Sequence, residues 1–241
     1  MSNIQKLSPR LAMVESLVEG FVAEQAGAES GFTIADIGTD HAYLATALLE
    51  HGLARDVIAS DLNAGPLQAA GRTVADCGLE DQIELRQGDG LQVLAPGEAD
   101  IVCVAGMGGA LMCDMLKAAD KAVLKQIRAL VLQPQNAEME LRRWLYGHYW
   151  HITDEQLTVD DGRIYVALRA EHGRQKMPSP LELMVGPVLL AKQPPLLEHH
   201  IETMVFRGRQ ILSGMERSPR AVKTRKYQQV KSLMAELEEL L

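Results

Sequence analysis

The sequence contains little cysteine, few aromatic residues and no long apolar run. Three of its 241 residues are cysteine and 4% are aromatic. Because no two cysteines form a CxxC pair and the histidines lack ligand-like spacing to carboxylates, we expect no metal site and a reducing compartment. No apolar run approaches the ~20 residues of a membrane span, and residues 1–10 lack the features of a secretory signal. These absences predict a cytoplasmic protein without a membrane segment.

Charge is distributed unevenly along the chain. Lys and Arg total 24 against 32 Asp and Glu, and this net charge of −8 by itself counts against nucleic acid as a partner. Residues 207–231 nevertheless contain eight cations and a single acid, Glu216, so this window carries +7 and the rest of the chain −15. Such a cluster indicates either a solvated helix face or a surface that contacts a polyanion.

Strands and helices are predicted to alternate up to residue 170. An opening helix at 8–27 has Ser8 as its N-cap, Pro9 as its first residue and Gly27 as its end. Apolar runs predict strands at 32–37, 57–60, 82–86, 100–105, 130–132, 149–158 and 163–170. Helical spacing predicts helices at 42–51, 66–76, 111–116 and 137–146. The last two strands flank an Asp-Asp-Gly turn, so we expect a parallel sheet with an antiparallel late strand, covered by helices on both faces.

The remainder of the chain has a different character. Residues 171–195 are polar and rich in proline, and we interpret them as a linker or irregular segment. Two long helices are predicted after it, at 196–215 and at 219–241, with Ser218-Pro219 beginning the second. A heptad seam indicates a coiled-coil-like contact; it consists of Val230, Leu233, Leu237 and Leu240. The predicted organisation is therefore a domain at 1–170, a linker at 171–195 and a helical tail at 196–241.

The first predicted strand ends in a group of residues suited to a charged ligand. The sequence there is DIGTDHAYL, residues 36–44. Gly38 lets a ligand approach the backbone, and the acids Asp36 and Asp40 suit the ammonium and sulfonium of S-adenosylmethionine better than a pyrophosphate. The dinucleotide fingerprint GxGxxG is missing, which disfavours an NAD-dependent oxidoreductase.

The next two strand ends also carry acids. Asp61 lies 23 positions after Gly38, where an acid typically binds ribose hydroxyls. A helix-capping role for Asp61 or Asn63 is the alternative. Asp89 follows the third strand and could accept a hydrogen bond from an adenine amine, although an Asp between glycines is also an ordinary turn.

The fourth and fifth strands end in sequences that could face the acceptor. AGMGG, residues 105–109, offers a bare backbone where a planar base and a methyl donor can meet; tight helix–strand packing is the alternative. The amides of residues 133–136 either face the substrate or form a helix entry with Asn136 as its N-cap.

These motifs together resemble the TrmK family, the bacterial tRNA adenine-22 N1-methyltransferases. The resemblance covers nearly the whole chain through LSPRL (7–11), ADIGTDHAYL (35–44), ASDLNAGPL (59–67), GDGL (88–91), AGMGG (105–109), LQPQ (132–135), DGRIY (161–165) and GPVLL (186–190). It implies a class I (Rossmann-like) α/β methyltransferase domain with a C-terminal helical hairpin, S-adenosylmethionine as donor and tRNA as acceptor. Two positions depart from the expected pattern: Ala45 stands where we expect proline, and Gln135 where we expect asparagine, which puts a catalytic role for that amide in doubt.

The expected site residues fall into three groups. Those expected to be catalytic are Asp40, Met107 and Gly108. Those expected to bind the donor are Asp36, Gly38, His41, Tyr43, Asp61, Asp89, Gly90 and Gly106. Those expected to bind RNA are Arg220, Lys223, Arg225 and Lys226.

Two other functions stay open on the sequence alone. The chain could methylate a protein or a small molecule, which would make the basic tail incidental. It could also be a non-catalytic RNA-binding protein with a vestigial cofactor pocket, although the intact acids and glycines argue against decay. The oligomeric state does not follow from the sequence.

Overall fold

The computed structural model describes residues 6–25 and 31–241, which form two compact units. The first unit is Met1–Lys176 and the second is Met177–Leu241. Gly27, the expected end of the opening helix, lies outside the described residues. The boundaries 1–170, 171–195 and 196–241 stay a prediction.

A seven-stranded sheet forms the centre of the first unit. In chain order the strands are β1 (Thr33–Ile37), β2 (Asp56–Asp61), β3 (Ile83–Gln87), β4 (Ile101–Met107), β5 (Ala129–Pro134), β6 (Trp150–Asp160) and β7 (Arg163–His172). Their order across the sheet is β3-β2-β1-β4-β5-β7-β6. The pairings among the first five strands are parallel, and β7 pairs antiparallel with both β5 and β6. The expected α/β class is therefore confirmed, with the chain reversing at β1, where ligands of such sheets bind.

The helices of this unit each bury part of their surface. They are α1 (Pro9–Glu24), α2 (Tyr43–Glu50), α3 (Ala64–Cys77), α4 (Gly109–Ala118), α5 (Lys121–Gln126) and α6 (Glu138–Gly147). Ser8 caps α1 by accepting a hydrogen bond from the Leu11 amide. The apolar face of α1 then packs with Ile34 and Val131 of the sheet in one core cluster. Helix α5 was not expected, because its six residues are too few for a helical period to be recognised.

The hairpin between β6 and β7 is built as the sequence predicts. Asp161 and Gly162 both have positive φ angles, +46° and +69°. This is the conformation that tight two-residue hairpin turns require, and Asp-Gly is a preferred sequence for it. Both strands extend beyond their predicted ends at 158 and 170, since the pairing between them includes Asp160 and His172.

The second unit is entirely helical. It contains α7 (Pro180–Val185), α8 (Pro187–Lys192), α9 (Leu197–Glu216) and α10 (Arg225–Glu238). The expectation of an irregular segment at 171–195 is therefore wrong for residues 180–185 and 187–192, which are helical, whereas residues 173–179 form neither helix nor strand. Pro180 and Pro187 begin helices because each occupies a first-turn position that has no need of an amide hydrogen, and Ser179 with Glu182 forms a capping box at the start of α7.

The last helix begins later than predicted. Residues 218–224 form turns rather than helix, so Ser218-Pro219 does not begin it. The N-cap is Thr224, whose hydroxyl accepts a hydrogen bond from the Tyr227 amide over 3.2 Å. The seam is also displaced: Leu240 is exposed beyond the helix end, whereas Tyr227 and Met234 are buried together with Leu237.

One ion pair lies entirely inside the first unit. Arg142 of α6 donates through Nε to Oε1 of Glu155 on β6 over 2.7 Å, and neither side chain is exposed to solvent. Two charges buried in this way require each other, because either charge alone would lose its hydration without compensation.

We predict that Glu155→Gln destabilises the fold by about 3–5 kcal/mol, since it removes the carboxylate charge that pairs with the buried Arg142 cation. Urea denaturation measures the loss. Asp114→Asn is the matched control, because the Asp114–Lys117 pair of 2.9 Å is exposed and screened by water. Equal stability of the two variants would contradict the prediction.

Candidate active site

A cleft of about 600 Å³ opens at the carboxyl ends of the parallel strands. The loops after β1, β2 and β3, the ends of β4 and β5, and the first turn of α1 line it. Ten of the eleven residues expected to be catalytic or to bind the donor line this cleft. Gly108 is the exception; it caps α4 and a side chain there would lie 3.1 Å from Asn136 Oδ1.

The loop after β1 is held by the end of β2. The amides of Gly38 and Thr39 both donate to the carbonyl oxygen of Ser60, over 2.8 and 2.9 Å. Asp40 and Ala42 have left-handed φ angles of +53° and +58°, which cost energy for residues with a side chain. Strained backbone of this kind is concentrated at functional sites, where the surrounding structure maintains it.

Two features favour glycine at position 38. Its φ is +76°, a conformation that a side chain disfavours, and a Cβ atom there would lie 2.1 Å from the Met107 methyl carbon. Met107 therefore extends from the end of β4 across the face of the β1 loop. This contact joins two of the motifs that the sequence singled out.

Asp36 is a buried carboxyl at the floor of the cleft. It is 3% exposed and accepts a hydrogen bond from the Thr39 hydroxyl over 2.6 Å. Burial raises the pKa of Asp36 from 3.8 to about 6, the Thr39 hydrogen bond opposes the rise, and the nearby Asp61 charge adds to it. The carboxyl thus gains a proton more readily than an exposed aspartate does.

Asp61 ties together the loops on its two sides. Its Oδ1 accepts from the Asn63 amide over 2.9 Å, and its Oδ2 is 3.4 Å from the Asp40 amide nitrogen. Asn63 is the N-cap of α3 but makes no capping bond with its side chain. The capping alternative therefore describes Asp61 in part, because its carboxylate supports the turn into α3 while also lining the cleft.

The turn after β3 brings Asp89 to the cleft. Asp89 is exposed, and Gly90 begins a short 3₁₀ turn with φ of +55°. A side chain at Gly90 would meet Met115 Cγ at 2.4 Å, so the glycine also allows close packing against α4.

The glycines of AGMGG have different roles: Gly106 lines the cleft, and Gly109 allows close packing. Gly106 forms an irregularity in β4, and its amide donates to Gln133 Oε1 over 3.1 Å. A Cβ atom at Gly109 would lie 2.7 Å from the Asn136 carbonyl oxygen, so this glycine is required for packing. Asn136 is not the cap of α6, because Ala137 takes that position with φ of +54°. Gln133 and Gln135 both line the cleft.

His41 and Tyr43 form a parallel stack at the cleft mouth, with ring centroids 5.2 Å apart and planes 8° apart. Asp40 beside them is 69% exposed, and its Oδ1 lies 3.8 Å from His41 Nε2. Sequence reasoning missed several further lining residues. These are Ser8, Arg10, Leu11, Leu62, Leu111 and Met115. The LSPRL motif was the available signal for the first three.

The four expected RNA-binding cations belong to the helical unit. All four are exposed: Arg220 and Lys223 lie in the turn between α9 and α10, and Arg225 and Lys226 begin α10. None of them pairs with a described acid of that unit. Arg209 does pair, with Glu238 over 2.9 Å. Across residues 6–25 and 31–241, no three His, Cys, Asp or Glu side chains form a metal-binding group. In the same ranges, no helix is both long and apolar enough to cross a membrane.

Known proteins match this chain over almost its whole length. The family described as TrmK, tRNA (adenine(22)-N(1))-methyltransferase, matches residues 34–239. The chain belongs to this family. The Bacillus subtilis tRNA (adenine(22)-N(1))-methyltransferase is 40% identical over 172 residues, which are 71% of this chain and 67% of that protein. The resemblance noted in the sequence is thereby confirmed.

Solved structures agree with this assignment. The B. subtilis M1A22 tRNA methyltransferase TrmK superposes with a TM-score of 0.80 and 31% identity, covering 97% of this chain and 96% of that one. Streptococcus pneumoniae Sp1610, described as a putative tRNA (m1A22) methyltransferase, superposes with a TM-score of 0.83 and 27% identity. The match covers 98% of this chain and 100% of that one. The structure of Sp1610 in complex with S-adenosyl-L-methionine superposes with a TM-score of 0.78 and 29% identity, covering 95% of this chain and 100% of that one.

The titration of Asp36 predicts a pH-dependent stability. The unfolded chain loses this proton near pH 3.8 and the folded chain near pH 6, so the contribution to stability is full below 3.8 and lost as the pH rises through 6. Asp36→Asn should therefore exceed the wild type in stability by about 1–3 kcal/mol at pH 7.5, and by much less at pH 4.5. Urea denaturation of the unliganded protein at both pH values tests this; a difference independent of pH would contradict it.

Proposed function

We propose that this chain methylates N1 of adenine 22 in tRNA, with S-adenosylmethionine bound in the strand-end cleft. The family match over residues 34–239 carries the assignment of activity. The chain is thus a tRNA (adenine(22)-N(1))-methyltransferase that uses S-adenosylmethionine. The assignment of individual residues, the RNA-binding surface and a cytoplasmic location, where tRNA is available, are further parts of the proposal.

The cleft has the polar groups that the donor needs. Ser60 lines it, and its buried hydroxyl makes no hydrogen bond with another described residue. We assign the ribose hydroxyls to Asp61, the adenine amine to Asp89, and the close backbone approach to Gly38. The donor supplies an electrophilic methyl group on a sulfonium, next to which the carboxylate of Asp36 is electrostatically favourable.

The acceptor needs positioning more than activation. Adenine N1 carries a free lone pair at neutral pH and is already a nucleophile, so holding it in line with the methyl group accounts for much of the rate. Methylation places positive charge on the ring. We assign stabilisation of this charge to Asp40, whose exposed carboxylate stands at the cleft mouth. Met107 and the backbone at Gly106 line the cleft, and we assign to them the wall against which the base would lie.

N1 is hydrogen-bonded in a paired adenine, so the target base must be unpaired or extruded before it enters the cleft. Recognition of the surrounding tRNA then requires contacts outside the cleft. We assign these contacts to the basic turn of the helical unit, because the body of the chain carries −15 and would repel a polyanion.

Transfer of radiolabelled methyl from S-adenosylmethionine to bulk tRNA, followed by nucleoside analysis, tests the proposed activity. N1-methyladenosine at position 22 is the expected product. Label on protein or a small molecule would instead support the second function considered from the sequence. Donor binding without transfer to any acceptor would support a non-catalytic RNA-binding protein.

We predict that Asp40→Asn lowers kcat at least tenfold at saturating donor and tRNA, because it removes a charge that stabilises the developing cation while preserving side-chain size. Calorimetric titration should show donor affinity within about twofold of wild type. Asp114→Asn, an exposed substitution outside the cleft, is the matched control. A kcat equal to that of the control would exclude a chemical role for Asp40.

We predict that replacing Arg220, Lys223, Arg225 and Lys226 with Ala raises the KM for tRNA and weakens its salt dependence. Three to five phosphate contacts should give a wild-type salt slope of magnitude ~2–5, at ~0.7–0.9 for each contact. Donor affinity should be unchanged. Equilibrium binding of tRNA at several salt concentrations measures the slope.

A charge-matched control removes four exposed cations of the first unit instead. These are Arg72, Lys117, Lys121 and Lys125. Both quadruple variants change the net charge equally, so an effect of overall charge would appear in both. A folded tail variant with the wild-type salt slope would contradict the assignment of these cations to tRNA.

A further inference from the structure

Two carboxamide side chains at the end of β5 line the cleft. They are Gln133 and Gln135, in the motif LQPQ (132–135). Gln133 is 1% exposed and is engaged through both of its polar atoms. Its Oε1 accepts from the Gly106 amide over 3.1 Å, and its Nε2 donates to the Pro134 carbonyl oxygen over 3.0 Å. Gln133 therefore holds the irregular end of β4 and has no polar group left for a ligand.

The side-chain amide of Gln135 is available to a ligand. The residue is exposed, and its amide makes no hydrogen bond with another described residue. The backbone is nevertheless fixed, because the Gln135 N–H donates to the Met107 carbonyl oxygen over 2.8 Å. The amide also lies close to Gly106, since a Cβ atom added there would be 3.7 Å from Gln135 Nε2. An unengaged carboxamide thus stands next to the wall that we assign to the target base.

The position of Gln135 favours the acceptor over the donor. In the sheet, the ends of β4 and β5 lie on one side of β1, and those of β2 and β3 lie on the other. Asp61 and Asp89, which we assign to the ribose and the adenine of the donor, follow β2 and β3. Asn63, the third carboxamide among the described residues that line the cleft, also follows β2. Gln135 is therefore the unengaged carboxamide on the acceptor side.

Methylation at N1 restricts how an enzyme can recognise adenine. N1 must face the methyl group, so the Watson–Crick edge cannot be paired with the protein. The Hoogsteen edge remains, with the N6 amine as donor and N7 as acceptor, and a carboxamide matches that edge with two hydrogen bonds. Guanine presents two acceptors there, O6 and N7, and would place O6 against the carboxamide oxygen. A glutamine amide can therefore select adenine while leaving N1 free.

We propose that Gln135 binds the Hoogsteen edge of the target adenine, with Oε1 accepting from N6 and Nε2 donating to N7. This inference rests on the proposed function and extends it to how the base is selected and oriented. The bond from N6 strengthens during the reaction, because methylation places positive charge on the ring and makes the N6 hydrogens more acidic. Gln135 thus contributes more to the transition state than to the bound substrate.

Methyl transfer to two altered tRNAs tests the proposal. One carries 7-deazaadenine at position 22, which lacks the N7 acceptor, and the other carries purine there, which lacks the N6 amine. For each enzyme, kcat/KM on the altered tRNA is divided by kcat/KM on the unmodified tRNA. The effect of each analogue on the reactivity of N1 enters this ratio equally in every enzyme, so a comparison of ratios between enzymes isolates the contact with the protein.

We expect the ratio for each analogue to be about tenfold lower in the wild type than in Gln135→Leu, which has a similar size and no amide. Gln135→Glu keeps an acceptor for N6 but lacks the donor for N7. It should therefore be as sensitive as the wild type to the loss of N6, and as insensitive as Gln135→Leu to the loss of N7. A merely structural role for Gln135 would not separate the two analogues in this way.

Gln82→Leu is the matched control. Gln82 is exposed and directly precedes β3, at the amino ends of the parallel strands, whereas the cleft lies at their carboxyl ends. This variant should give the wild-type ratios with both analogues. Calorimetric titration with S-adenosylmethionine should show unchanged donor affinity in all three variants, because the donor is assigned to other residues.

Two outcomes would overturn the proposal. Wild-type ratios in Gln135→Leu, even with a lower overall rate, would mean that the side chain only supports the end of β5. If Gln135→Leu does not fold, wild-type ratios with both analogues in Gln135→Glu would overturn the proposal in its place. A wild type that transfers no methyl group to unmodified tRNA would instead contradict the proposed function itself.

Discussion

Two hydrogen bonds to a single carbonyl oxygen determine the shape of the cleft. The amides of Gly38 and Thr39 both donate to Ser60, so the loop after β1 cannot move independently of the end of β2. Everything assigned to the donor depends on this connection: Asp36 lies beneath the loop, Asp61 beside it, and Met107 across it. Parallel pairing of β1 with β2 and β4 supplies the rigid base on which such a loop can be held.

Holding the loop after β1 in this conformation costs folding free energy at a few residues. Asp40 and Ala42 adopt left-handed backbone conformations, and Asp36 keeps a carboxyl in a buried position that raises its pKa to about 6. Each feature opposes folding by an amount of order 1–3 kcal/mol. Burial of apolar side chains in the central strands offsets these costs; examples at 0% exposure are Ile101, Val102 and Leu130. These residues oppose folding, so a loop with a purely structural role would have no reason to keep them, whereas a loop that binds a charged donor would.

The cleft of the first unit and the helical unit differ in the sign of their charged side chains. The cleft gathers carboxylates that suit the cationic part of the donor, while the turn between α9 and α10 gathers cations that suit phosphate. A polyanionic acceptor and a cationic donor make opposite electrostatic demands, and one surface cannot meet both. We propose that the division of the chain into an acidic unit and a basic helical unit meets both demands.

The sequence alone determined the alternation of strands and helices, the hairpin turn at Asp161-Gly162 and the family. These follow from periodicity, turn chemistry and motif order, which are local properties of the chain. Residues 171–195 were nevertheless expected to be a linker or irregular segment because they are polar and rich in proline, whereas Ser179 and Glu182 form a capping box there. Only the tertiary structure decided that Met107 lies against Gly38, that Gly109 serves packing, and that Arg10 reaches the cleft beside Asp160 and Tyr165. The physical reason is that these contacts join residues far apart in the chain, and no local pattern specifies which strand ends and helix turns will meet.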